Sequence, residues 1–200
     1  MSNKIERLEK IKSIARNCYN CDLGKTRKNL VFGEGNADPF CMIVAEGPGR
    51  KEDELGRPFV GRSGQLLRKM LLAIGLDPIK DCYIANIIKC RPPGNRDPLE
   101  EEIEMCCKYL RKQIEIIKPR LLVLLGKTAV KGLCPNFAKD SVEKLRSMTK
   151  SLGLVTYGEI PIMVTYHPSA LLRAAWRRVG AKEDFEFLQA IYKEFLDGQK

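Results

Sequence analysis

Four short runs of this chain are apolar at nearly every position: Cys41–Ala45, 83–88, Leu121–Leu125 and Ile160–Thr165. A strand with no polar face must be covered on both sides, which is the condition of a parallel sheet flanked by crossover helices. The intervening segments supply those helices, at 63–74, 99–118, Lys127–Leu133 and 183–195. In the second of them Ile103, Cys107, Leu110, Ile114 and Ile117 fall on one stripe, as an amphipathic helix requires. The alternation predicts an α/β protein, a three-layer α/β/α sandwich around a central, mostly parallel four-stranded sheet. No linker or repeat interrupts it, so the 200 residues read as one domain. In such a fold the working residues collect in the loops at the carboxyl ends of the strands.

Charge narrows the partners. Lys and Arg number 35 against 25 Asp and Glu, a formal net charge of +10, which favours a polyanion such as nucleic acid. No apolar run approaches the length that crosses a bilayer, and no signal-peptide core opens the chain. A cytoplasmic protein is the expectation. There eight cysteines point to metal ligation rather than disulfides. Cys18 and Cys21 form a C-x2-C pair after a helical stretch with Ile5, Leu8, Ile11 and Ala15 on one face. Cys107 belongs to the core stripe, whereas Cys106 lies about 100° round the helix and is free to face a site. Cys41 and Cys82 begin apolar runs and read as packing residues. Cys90, in the loop Cys90-Arg91-Pro92-Pro93-Gly94-Asn95, completes a candidate set of Cys18, Cys21, Cys90 and Cys106. With one histidine in the chain, His167, sites that need two imidazoles are excluded. Structural zinc and an iron–sulfur cluster both remain open.

Two phosphate-binding patterns fail. Gly126-Lys127-Thr128 lacks the earlier glycine of a P-loop, and Gly47-Pro48-Gly49 does not complete G-x-G-x-x-G. Three strand ends remain as carriers of chemistry. These are Ala45-Glu46-Gly47-Pro48-Gly49 with Pro58-Phe59-Val60-Gly61-Arg62-Ser63-Gly64 after it, Asn86 leading to Cys90, and His167-Pro168-Ser169-Ala170-Leu171-Leu172-Arg173.

Taken together, these segments resemble the family 4 uracil-DNA glycosylases, which carry G-E-x-P-G, P-F-V-G-x-[AS]-G-x-L-L, N-I-x-K-C-R-P-P and H-P-x-x-L-L-R in this order. The resemblance runs from Cys18 to about Arg173. It implies a uracil-DNA glycosylase domain over residues 1–200, excising uracil from single- or double-stranded DNA. It also implies a [4Fe–4S] cluster on Cys18, Cys21, Cys90 and Cys106, the set already reached from spacing and periodicity.

The resemblance further implies roles for single residues. His167 would donate a hydrogen bond to uracil O2 as negative charge develops. The Asn86 amide would donate to O4 and accept from N3–H, a pattern cytosine does not match. Phe59 would stack on the flipped base. Gly47 stands where the best-known family of the superfamily has a water-orienting aspartate, so Glu46 is the candidate for placing water. Its bland alternative is a structural acid. Leu171 is expected as an apolar wedge in the duplex, with Ser63, Ser169 and Arg173 on phosphates.

Residues 189–196 faintly resemble a sliding-clamp-binding box, although Phe185, Leu188, Tyr192 and Phe195 make an ordinary helix stripe. A monomer is expected. Glu46 argues against the broader family 5 type, which is apolar there. A non-catalytic iron–sulfur protein would leave Phe59, Asn86 and His167 unexplained.

Overall fold

The computed structural model describes residues 2–151 and 153–198. In chain order its elements are α1 (Ser2–Arg16), α2 (Leu23–Thr26), β1 (Glu34–Gly35), β2 (Cys41–Ala45), α3 (Arg50–Leu55), α4 (Arg62–Ala73) and β3 (Cys82–Asn86). There follow α5 (Glu100–Ile117), β4 (Leu121–Leu125), α6 (Lys127–Leu133), α7 (Val142–Thr149), β5 (Thr156–Tyr157), β6 (Ile160–Thr165), α8 (Pro168–Arg173) and α9 (Arg177–Asp197).

The expected four-stranded sheet is corrected to six strands in the order β1-β3-β2-β4-β6-β5. The inner four pair in parallel, while β1 and β5 add antiparallel edges. Each edge strand has two residues, too few for any apolar period to register in sequence. Gly35 permits the first of them. A Cβ there would lie 2.2 Å from the Cys82 carbonyl oxygen, so only glycine lets β1 come this close to β3.

The inner strands are buried on both faces over nearly their whole length, which is why they are apolar at nearly every position. Met42, Val44, Ala85, Leu122 and Leu124 join one core with Leu110 and Ile114 of α5 and Val130 of α6. Cys41, Ile43, Ala45, Val123 and Leu125 join the other with Leu67 and Leu71 of α4 and Phe185 and Leu188 of α9. Each fully buried Val, Leu or Ile contributes about 1.5–3 kcal/mol.

Cys41 and Cys82 are register partners in the sheet and are fully buried. Cys107 donates to the Gly132 carbonyl from within the core. On α9, Tyr192 and Phe195 pack on Phe40 with ring centroids at 4.9 and 5.0 Å. Among the described residues no helix is long and apolar enough to cross a membrane.

Register decides where the site lies. Ala45 is opposite Asn86 on the neighbouring strand, and Leu125 is opposite Thr165. The loops that follow β2, β3, β4 and β6 therefore leave the sheet along one edge.

Candidate active site

Those loops line a cleft of about 660 Å³ whose walls include Glu46, Gly47, Phe59, Ser63, Asn86, Thr128, His167, Ser169 and Arg173. Its size and mixed lining are those of a small-molecule binding site.

Asn86 is the last residue of β3 and is buried. Its backbone carbonyl accepts from the Lys89 ammonium at 2.8 Å, and that ammonium also donates to Gln113 at 2.6 Å. The strand end is thereby fixed. The Asn86 side-chain Oδ1 is buried without any hydrogen-bond partner. An orphan acceptor of this kind costs about 1–3 kcal/mol and calls for a functional reason.

Phe59 is a buried aromatic held at a φ of 54°, a left-handed conformation that costs a non-glycine residue free energy and clusters at functional sites. Two features hold it there. Glu52 of α3, itself buried, accepts from the backbone N–H groups of Val60 and Gly61 at 2.9 and 2.7 Å. On the other side, a Cβ on Gly64 would fall 2.1 Å from the Phe59 carbonyl carbon, so helix α4 can begin beneath Phe59 only with glycine. The Phe59 ring lies 5.8 Å from the His167 ring, tilted by 35°.

His167 caps α8. The Ser169 N–H donates to its Nδ1 at 3.1 Å, and the Ser169 hydroxyl lies 2.8 Å from the same nitrogen. An Nδ1 that accepts leaves the ring proton on Nε2, so the neutral imidazole is a donor there. Burial, and secondarily the Arg173 charge, hold its pKa down from 6.5 to about 4. The unfolded chain thus takes up this proton at higher pH than the folded one. The contribution of a neutral His167 is complete above about pH 6.5 and is lost as pH falls toward 4. Thermal melts across that window should show a falling midpoint in the wild type and a flatter dependence in His167→Gln.

Glu46 follows β2. Its Oε2 accepts from the Thr128 hydroxyl at 2.5 Å. Burial raises its carboxyl above the usual range, the Thr128 hydrogen bond opposes this, Asp97 adds to the rise and Arg173 opposes it. A Cβ on Gly47 would meet Ile88 Cγ1 at 2.6 Å, so the space a side chain would need at this position is already filled.

Not every expected residue meets the cleft. Leu171 is buried with Tyr166 and Ala181 in the free protein, so its side chain is packed there and not presented as the expected wedge. The exposed apolar side chain of that turn is Leu172. Ser169, by contrast, does line the cleft, where it contacts the imidazole. Sequence reasoning missed Thr128 and Glu52. Thr128 lay in the discarded P-loop fragment, whose place directly after an apolar strand was the usable signal. Glu52 carried no signal beyond its glycine-rich surroundings.

A second, smaller cavity is lined by Cys18, Cys21, Cys90 and Cys106 together. The Arg27 guanidinium donates to Cys90 Sγ at 3.1 Å and the Lys89 backbone N–H to Cys106 Sγ at 3.2 Å. A Cβ on Gly24 would lie 2.7 Å from the Cys18 carbonyl oxygen, so the chain closes tightly around the C-x2-C pair. Among the described residues no three His, Cys, Asp or Glu side chains converge as ligands of one ion. The four thiols thus share one small cavity, and two of the sulfurs accept N–H hydrogen bonds.

Comparison with known proteins agrees with this geometry. The model of the uracil DNA glycosylase superfamily matches residues 32–196. A type-4 uracil-DNA glycosylase of Pyrobaculum aerophilum is 41% identical over 196 residues, 96% of this chain and 99% of the relative. One from Thermotoga maritima is 43% identical over 175 residues, 86% and 87% of the two chains. A type-5 uracil-DNA glycosylase of Pyrobaculum aerophilum is 30% identical over 152 residues, 68% of this chain and 64% of the relative. The chain belongs to the uracil-DNA glycosylase superfamily and, within it, to the type-4 uracil-DNA glycosylases.

Proposed function

We propose that this DNA-repair glycosylase hydrolyses the N-glycosidic bond of deoxyuridine in DNA, releasing uracil and leaving an abasic site. The observation that carries the reading is the buried, unpartnered Asn86 Oδ1 beside Phe59 and His167. A flipped uracil would stack on Phe59, give its N3–H to Oδ1 and accept from the Asn86 amide at O4. Cytosine has no N3–H to give and would leave Oδ1 orphaned.

As the C1′–N1 bond breaks, its electron pair stays with the base, and the sugar becomes oxocarbenium-like. His167 Nε2–H donates to O2 of the departing anion. A neutral donor placed there in advance stabilises the transition state without a proton leaving the ring. Water then adds to C1′ and loses a proton to the Glu46 carboxylate. Thr128 is a positioning residue that aims this carboxylate and keeps more of it ionised. Thr128→Val should therefore move the acid limb of the pH–rate profile upward, and Thr128→Ser should restore it. An unmoved limb in Thr128→Val would remove Glu46 from the proton transfer. Arg173 and Ser63, at the cleft wall, would meet the DNA backbone.

The four cavity-lining cysteines are proposed to hold a [4Fe–4S] cluster, which would supply a cross-link between α1, α2, the loop after β3 and α5. The two N–H···S hydrogen bonds support that set. Two cores flanking one sheet support reading residues 1–200 as one domain. Clamp docking through residues 189–196 would have to unpack Tyr192 and Phe195, so this reading keeps them in the core.

The test is incubation with oligonucleotides carrying one deoxyuridine, followed by alkali. Strand scission at deoxyuridine, and none at thymidine or deoxycytidine in its place, is expected. Intact deoxyuridine strands would overturn the assignment.

A further inference from the structure

The chain's one tryptophan, Trp176, stands directly before α9 and is 65% exposed. The Arg177 guanidinium lies 4.7 Å from the indole centroid, and the Tyr166 ring meets it edge-on at 6.4 Å and 79°. Arg177 is also 5.7 Å from the Tyr166 ring, and its Nε is buried without a partner. Both Tyr166 and Arg177 line the active-site cleft, so the indole stands beside two residues of its wall. Arg178 fixes the segment by donating to the Leu171 carbonyl at 3.3 Å.

With Arg177 against the ring, the exposed remainder of the indole is a flat apolar surface in a basic rim. The uracil site does not use it. A DNA strand offers both a base face for the ring and phosphates for the charges. We infer that Trp176 is a stacking platform for an unpaired nucleobase adjacent to the flipped uridine, a subsite that favours single-stranded stretches of substrate. The inference rests on the proposed reaction for placing uridine in the cleft.

The lone indole reports on itself. Wild-type protein would be titrated with a short single-stranded oligonucleotide holding one 2′-fluoro-2′-deoxyuridine, which resists excision. Tryptophan fluorescence should be quenched on binding, and the quenching should vanish when both bases flanking the uridine are replaced by abasic residues. Trp176→Ala should bind the intact oligonucleotide about tenfold more weakly, with Trp176→Phe recovering most of the loss. On the abasic-flanked oligonucleotide, Trp176→Ala and wild type should bind alike. Unchanged fluorescence with the intact oligonucleotide, or an equal loss on both oligonucleotides, would overturn the inference and assign the ring to a different partner. Uracil release by the same wild-type preparation separates this outcome from failure of the reaction itself.

Discussion

Asn86→Ala should slow single-turnover uracil excision about 100- to 1000-fold, the loss typical when a positioned transition-state hydrogen-bond partner is removed, while the fold keeps its melting temperature or gains slightly. The two halves of this expectation have one cause. In the free protein Oδ1 is buried without a partner, so its presence destabilises the native state, and deleting it removes that cost. In the substrate complex the same atom is paired with N3–H, and its loss takes away both the recognition and the alignment of the base. A variant that folded less stably and excised uracil at the wild-type rate would reverse the argument and make Asn86 a structural residue.

Cys90→Ala should abolish visible absorbance of the purified protein and lower its melting temperature by about 10 °C. The four proposed ligands sit at positions 18, 21, 90 and 106. A cross-link closing a loop of the size between Cys21 and Cys90 is worth about 4 kcal/mol, and each kcal/mol moves the midpoint of a chain this long by about 2–4 °C. Cys107→Ala is the control. Cys107 neighbours a proposed ligand in sequence but points into the core, bonded to Gly132. It should lose packing energy and keep the absorbance. If Cys107→Ala bleached the protein and Cys90→Ala did not, the ligand set would be wrong.

The inner sheet was legible because burial on both faces forces every residue of β2 and β4 to be apolar, a pattern few other structures produce. The edges were illegible for the opposite reason. Glu34–Gly35 and Thr156–Tyr157 are two residues each, and what makes them strands is the proximity of β3 and β6. Helix α5 was readable to within a residue at each end, since its stripe runs for about four turns.

The site divides in the same way. Asn86, Phe59 and His167 sit in motifs whose order along the chain carries the resemblance. Thr128 reaches Glu46 across 82 residues, a contact created by the register of β2 against β4 and visible only once the sheet is assembled. Leu171 shows the converse. Its position in the motif suggested a wedge, yet the packing of α8 on α4 and α9 turned it inward. Local sequence gives a residue's neighbours along the chain, and tertiary packing decides which way it faces.

The central claim is that the departing base is met by a neutral imidazole donating from Nε2. Because His167 is the only histidine, nitrogen-15 NMR of the free enzyme observes that ring alone. The account predicts a single Nε2–H tautomer that stays neutral down to about pH 4. A ring that protonates near pH 6.5, or carries its proton on Nδ1, would contradict it.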